Sequence, residues 1–150
     1  MAASRKKARP RSLPFTYAAE ELGDALTERL APILAAADLT PTQFNVLYIL
    51  VEDGPMTLGE LAKFQRCVKS NISYLTRSME QEGLVALVAS ERDQRARVIS
   101  PTKLGLKRFE VAKAGAQKVE VAIRRALGAD VLDRIARGCL DAAAALDRSS

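Results

Sequence analysis

Two short polar motifs mark helix starts in the first half of the chain. Thr40 is followed by a proline, and Gln43 stands three residues after it, which completes a capping box. Thr57 and Glu60 repeat this pattern, and between the motifs the run 53–55 reads Asp-Gly-Pro, a helix stop signal. The sequence therefore predicts a helix from about residue 41 to 53 and a short second helix after Thr57. The first of these helices is expected to turn the following side chains inward: Phe44, Leu47, Tyr48, Leu50 and Val51.

A third helix is predicted from about Val68 to Glu82, where Gly83 ends it. Its apolar residues, Val68, Ile72, Leu75 and Met79, recur at spacings of four, three and four, so they share one face. The residues assigned to the opposite face and its flanks include no acidic side chain: Lys69, Ser70, Asn71, Ser73, Tyr74, Arg77 and Gln81.

Two short strands are predicted after this helix, at 84–89 and 98–99, with the charged stretch 90–96 as a hairpin tip between them. The order helix, turn, helix, strand, charged loop, strand is the layout of a winged helix-turn-helix. The side chains that cluster on the predicted wing are Arg92, Gln94, Arg95 and Arg97.

Amphipathic helices are predicted on both sides of this unit. An apolar stripe runs from Leu22 to Leu34, with Pro32 as a possible kink, and Thr102 can cap a long helix that ends at Gly128. A last helix follows to about residue 146. The predicted fold class is mainly α with a small β-wing.

The composition limits the possible functions. The 150 residues are 48% hydrophobic, enough for one domain with a core, and we expect no membrane span and no secretory signal. Two cysteines are more consistent with a reducing cytoplasm than with a disulfide framework. Because the chain has no histidine, Ser-His-Asp and Cys-His mechanisms are excluded. We therefore expect no enzyme, no catalytic residue, no metal site and no cofactor.

The net charge of +5 comes from the N-terminal segment 1–12, which we interpret as a flexible basic arm. This arm is either a solvated tail or a segment that contacts DNA phosphates or the minor groove. The residues that supply its five positive charges are Arg5, Lys6, Lys7, Arg9 and Arg11.

The polar face of the third helix has the side chains that a major-groove helix needs. Arg77 can donate two hydrogen bonds to a guanine edge, and Asn71 can pair with adenine. Lys69 suits a phosphate, while Ser70, Ser73 and Tyr74 can reach bases or phosphate oxygens. An arginine of the wing can enter the narrow minor groove. The alternative interpretation is an ordinary solvated face.

The chain resembles the multiple-antibiotic-resistance regulator (MarR) family of transcriptional regulators. The resemblance covers roughly residues 20–146, and the matching pieces stand in order at 39–47, 54–62, 79–85, 93–97 and 101–105. It implies a winged helix at about 40–101 and dimerisation helices at about 15–37 and 102–147, within one domain over 13–150. It also implies a homodimer on a pseudo-palindromic DNA operator and a repressor role.

Relatives in this family also suggest an effector. Many bind small aromatic or phenolic acids in a crevice between the dimerisation helices and the DNA-binding lobe. The residues that could line it here are Phe15, Tyr17, Phe44 and Tyr48. The alternative for each of them is a plain core or interface aromatic. Others sense oxidants through a cysteine. Cys67 is then the candidate, although a packed thiol is the alternative. Cys139 is expected to pack within a helix. A further alternative function is a winged-helix protein-interaction module.

Overall fold

The computed structural model describes residues 12, 14–65, 69–90 and 97–147, with the backbone alone at Lys69 and Ser70. Six helices and a two-stranded antiparallel sheet make up this part of the chain. In chain order they are α1 (Pro14–Ala36), α2 (Pro41–Glu52), α3 (Leu58–Phe64), α4 (Lys69–Gln81), β1 (Val85–Ala89), β2 (Arg97–Pro101), α5 (Lys103–Leu127) and α6 (Ala129–Asp147).

Local signals place the helix starts where the sequence predicts them. Thr40 and Thr57 each accept a hydrogen bond from the third helical residue, and both capping boxes are complete. Thr102 caps α5 by accepting from the backbone N–H of Gly105. Pro32 lies inside α1, and the helix continues past it to Ala36.

One buried cluster joins the helices to the sheet. It contains Leu34 of α1, Leu47 of α2, Ile72 of α4, Ile99 of β2 and Phe109 of α5. The sheet is tied to this core by an extra bridge, in which the backbone groups of Met56 and Ile99 exchange hydrogen bonds of 3.3 and 2.8 Å. The wing is therefore hydrogen-bonded to the connection between α2 and α3.

Tyr48 corrects one prediction about α2. The sequence predicts that its side chain points inward, but 48% of Tyr48 is exposed. Helix α2 instead buries Val46, Leu47 and Leu50, and the side that carries Tyr48 is covered only in part by Phe109 of α5.

No single helix in the described ranges is long and apolar enough to cross a membrane. The bent pair α1 and α2, which meet at 80°, passes that test of length and composition together.

Candidate nucleic-acid interface

Helix α4 buries the apolar side that its sequence pattern predicts. Ile72 and Met79 are 1% and 0% exposed, and Leu75 is partly buried against the core. Val68 lies outside the described residues. Thr76 is also buried on this side, and its hydroxyl donates to the backbone carbonyl of Ile72 at 2.8 Å. A threonine can occupy this position because the carbonyl four residues earlier satisfies its hydroxyl.

The opposite side of α4 faces outward. Tyr74 is 81% exposed, Asn71 and Arg77 are exposed, and Ser73 is half-buried. The structure thus brings these predicted DNA-contacting residues to one surface, while the side chains of Lys69 and Ser70 are outside the description. The carboxylate of Glu80 is exposed one turn beyond Arg77, towards the end of the helix.

The C-terminal end of α4 is closed by a Schellman motif. Gly83 has a φ of +73°, its N–H donates to the carbonyl of Glu80, and the N–H of Leu84 donates to that of Met79 at 2.8 Å. Leu84 is fully buried next to this turn. Thr102, at the start of α5, donates its hydroxyl to the carbonyl of Gly83. The end of α4 is therefore fixed to the base of the wing and to α5.

The wing is described only at its strands. Arg97 is exposed and pairs with Ala89 at the open end of the sheet, so β2 begins one residue earlier than the sequence predicts. The other three predicted wing contacts, Arg92, Gln94 and Arg95, lie outside the described residues, as does Cys67.

The four aromatic residues predicted to line an effector crevice fall into two groups. Phe44 stacks on Phe109 at 5.5 Å between ring centroids, and Tyr48 lies 6.5 Å from Phe44. Phe15 and Tyr17 lie in the first turn of α1, whose 23 residues span roughly 35 Å. Helix α2 follows the other end of α1. Within one protomer, the two groups are therefore near opposite ends of α1.

Lys113 stands beside the aromatic group at Phe44, Tyr48 and Phe109. Its ammonium lies 5.5 Å from the centre of the Phe109 ring and 3.6 Å from a carboxylate oxygen of Glu52. The sequence analysis did not single out Lys113. The sequence feature that could have revealed it is the spacing of four residues between Phe109 and Lys113, which places both on one side of α5.

Large apolar side chains remain exposed on the terminal helices. A groove of about 700 Å³ runs between α1 and α5, and none of the four predicted effector residues lines it. Helix α6 has no buried residue, and Leu140 and Leu146 are 71% and 69% exposed. Cys139 is exposed as well, so its predicted packing is wrong for the single chain. The residues that line the groove include Leu22, Leu26, Ile33, Val119 and Ile123.

No group of three or more acidic, cysteine or histidine side chains in the described ranges is arranged to hold a metal ion.

Comparison with known proteins identifies a family that part of this chain resembles. Residues 39–96 match the MarR family. The repressor CouR bound to a 23-mer DNA duplex superposes with a TM-score of 0.76 and 25% identity, over 86% of this chain and 92% of that chain. The winged-helix part of this chain, residues 39–96, is thus similar to the MarR family. Its α4 corresponds to the second, recognition helix of a winged helix-turn-helix, and β1 and β2 form the wing.

Two more comparisons are informative. The "Transcriptional activatory protein BadR" of Rhodopseudomonas palustris is 39% identical over 80 residues, which are 51% of this chain and 45% of that protein. The structure of NadR in complex with 4-hydroxyphenylacetate superposes with a TM-score of 0.77 and 21% identity, over 91% and 97% of the two chains. The chain spans 45 to 60% of the length of the curated relatives it matches.

Proposed function

We propose that this chain is a sequence-specific DNA-binding transcriptional regulator of the MarR type that inserts α4 into the major groove. The observation that carries the proposal is the outward side of α4, where Asn71, Tyr74 and Arg77 are exposed on a helix whose other side is fixed in the core. Because α4 is already packed against the core, its backbone does not have to be ordered when it binds DNA, and only the contacting side chains lose freedom. A regulator of this kind works on chromosomal DNA in the cytoplasm and needs no catalytic chemistry.

The side chains divide by the part of DNA that they contact. Arg77 donates to a guanine edge and Asn71 pairs with adenine, while Ser73 and Tyr74 contact bases or phosphate oxygens. In the first turn of α4, Lys69 binds a phosphate, and Ser70 contacts a base or a phosphate oxygen. The wing residues Arg92, Gln94, Arg95 and Arg97 contact the minor groove or its phosphates. The basic arm of residues 1–12 adds phosphate contacts.

The active form is a homodimer. The exposed apolar residues of α1, α5 and α6 support this, because a single chain leaves them in contact with water. In the proposed dimer, helices at about 15–37 and 102–147 pack against their counterparts, next to the winged helix at about 40–101. The two copies of α4 then reach successive major grooves of a pseudo-palindromic operator, about one helical turn apart.

A small aromatic or phenolic acid is the proposed effector. The stacked rings of Phe44 and Phe109, the half-exposed Tyr48 and the ammonium of Lys113 support it, because they offer an aromatic wall next to a cation. Phe15 and Tyr17 then complete the crevice from the partner subunit. NadR, which shares the fold, was crystallised with 4-hydroxyphenylacetate.

We propose that the protein acts as a repressor which the effector releases from DNA. For this release, the effector must bind more tightly to the arrangement of the dimer that does not fit DNA than to the arrangement that does. Among the proteins compared, CouR is named a repressor and BadR an activator. A reporter assay with the selected operator placed over a promoter measures the sign of regulation directly.

The test of DNA binding begins with a selection from random duplexes, followed by titration of the selected site in increasing salt. If the protein neutralises six to ten phosphates, affinity should fall by about 10³–10⁵-fold between roughly 50 and 200 mM salt. A protein-interaction module would show no such dependence. Failure to enrich any duplex at low salt would contradict the proposal, provided that the preparation is folded and dimeric.

A further inference from the structure

The side chain of Gln43 connects the first turn of α2 to the end of α4. It is only 6% exposed, and its amide oxygen accepts a hydrogen bond from the backbone N–H of Thr40 at 2.9 Å. Its amide nitrogen donates to both carboxylate oxygens of Glu82, each at 3.0 Å. One buried amide therefore joins two segments that are 39 residues apart in the chain.

The capping box at the start of α2 does not explain why this residue is glutamine. A capping box needs only an acceptor at the third helical position, so glutamate serves equally well. Glu60 does so at the start of α3, where it accepts from the backbone N–H of Thr57 at 2.8 Å. The amide N–H donor of Gln43 is not needed for the capping box, and it donates to the carboxylate of Glu82 instead.

Glu82 stands where a carboxylate is unfavourable. It directly follows the last residue of α4, at the negative end of the helix dipole, and repulsion there opposes its charge. Two donors compensate for this: the amide of Gln43, and the hydroxyl of Ser78 at 3.1 Å from one carboxylate oxygen. A carboxylate at position 82 is therefore explained by its contact with Gln43 and not by its place in α4.

The neighbouring residue extends the connection to the proposed dimerisation helices. Phe44 stacks on Phe109 of α5, so the first turn of α2 contacts α5 on one side and the end of α4 on the other. We propose that the Gln43–Glu82 pair is a positioning link that sets the tilt of α4 relative to α2 and α5. This inference rests on the proposed function, since the tilt then sets the separation of the two recognition helices in the dimer.

An exchange of the two residues tests the link. Gln43→Glu keeps the acceptor for the capping box but turns a carboxylate towards Glu82, so the pair becomes repulsive. We expect affinity for the selected operator to fall about tenfold or more, and the preferred spacing of half-sites to change. The double variant Gln43→Glu with Glu82→Gln restores a donor and an acceptor in reverse. Its affinity and preferred spacing should return to within about threefold of the wild type.

The preferred spacing of the two half-sites is the decisive measurement, because a residue that only stabilises the fold would not change it. Binding is measured on duplexes whose half-sites are moved together or apart by one base pair, beside thermal unfolding of each variant. Glu80→Gln is the matched control, because it removes an exposed carboxylate of α4 that lies outside the link. It should keep the wild-type preference. If Gln43→Glu does not fold, Glu82→Ala at an exposed position replaces it, with the same expected change in spacing.

Three results would overturn the link. The first is a folded Gln43→Glu protein with wild-type affinity and spacing preference, and the second is a double variant as weak as Gln43→Glu. The third is a uniform loss of affinity over all half-site spacings, because such a loss reports stability only. A wild-type protein that binds no duplex is a different outcome, since it contradicts the proposed function itself.

Discussion

Gly105, in the first turn of α5, packs directly against the backbone carbonyl of Leu84 at the base of the wing. A Cβ atom built on Gly105 would overlap that oxygen and would lie 3.2 Å from Cδ2 of Leu47. The same carbonyl accepts a hydrogen bond of 3.0 Å from the backbone N–H of Thr102. The close approach of α5 to the end of α4 therefore depends on the missing side chain.

The substitution Gly105→Ala should lower the free energy of unfolding by about 2–3 kcal/mol, because backbone atoms that cannot rotate away must move. Helix propensity alone would predict a gain. Urea unfolding measures the difference. Gly59→Ala in α3 is the control, since nothing lies within 4 Å of its added methyl group. If the two substitutions changed the free energy of unfolding equally, the close contact between Gly105 and Leu84 would not be the cause of the destabilisation.

Gly115 allows α5 to cross α1 closely at Ile33. A Cβ on Gly115 would overlap Cγ2 of Ile33, a side-chain atom. We expect Gly115→Ala to cost about 1–3 kcal/mol of stability, and Ile33→Ala in the same chain to remove much of that cost. A double-mutant cycle in urea checks this. Additive effects of the two substitutions would rule out the contact as the cause.

Asp38 has a φ of +51° in the turn between α1 and α2, where glycine is favoured. Arg108 donates to its backbone carbonyl at 3.1 Å, a bond that any residue at this position keeps. Asp38→Gly should therefore raise the free energy of unfolding by about 0.5–1 kcal/mol, whereas Asp38→Ala should lower it by a similar amount. Melting temperatures compare the two. A less stable glycine variant would show that the Asp38 carboxylate, 3.7 Å from Arg108, matters more than the backbone.

Arg77 and Tyr74 are expected to affect DNA binding without affecting folding. Arg77→Ala should weaken binding by about 1–3 kcal/mol and relax specificity at one base pair of each half-site. Tyr74→Ala should also weaken binding, and because Tyr74 is 81% exposed, its removal leaves the core intact. Arg137→Ala on α6 removes the same charge from another exposed position and serves as the control. Gel-shift titration with base-substituted operators gives the comparison, and equal losses for Arg77 and Arg137 would place the DNA contact elsewhere.

The effector proposal predicts a role for Lys113. Aromatic carboxylic acids should release the protein from its operator. Lys113→Met should raise the acid concentration needed for release by about tenfold, because the charge-assisted hydrogen bond from Lys113 to the carboxylate of the acid is lost. Operator affinity without the acid should stay unchanged. Lys118→Met, in the groove between α1 and α5, is the matched control. If both variants respond to the acid like the wild type, the aromatic group at Phe109 is not the binding site.

The helix boundaries were predictable because their signals are local. Thr40, Thr57 and Thr102 act on residues three positions later, and Gly83 and Gly128 end helices within one turn. The buried face of α4 follows from its spacing of apolar residues. Tyr48 was mispredicted because the same periodicity cannot tell a buried side from one that a neighbouring helix covers only in part.

Local sequence signals were sufficient to place the helices and the two strands to within a few residues and to identify the apolar side of α4. They also showed that the polar side of its middle turns lacks acidic residues. Contacts between distant segments became visible only in the folded chain: Gly105 with Leu84, Gly115 with Ile33, and Gln43 with Glu82. The two kinds of information differ in their range along the chain. Capping and periodicity act over three or four residues, whereas these contacts depend on how whole helices cross, and that is set by the packing of the common core.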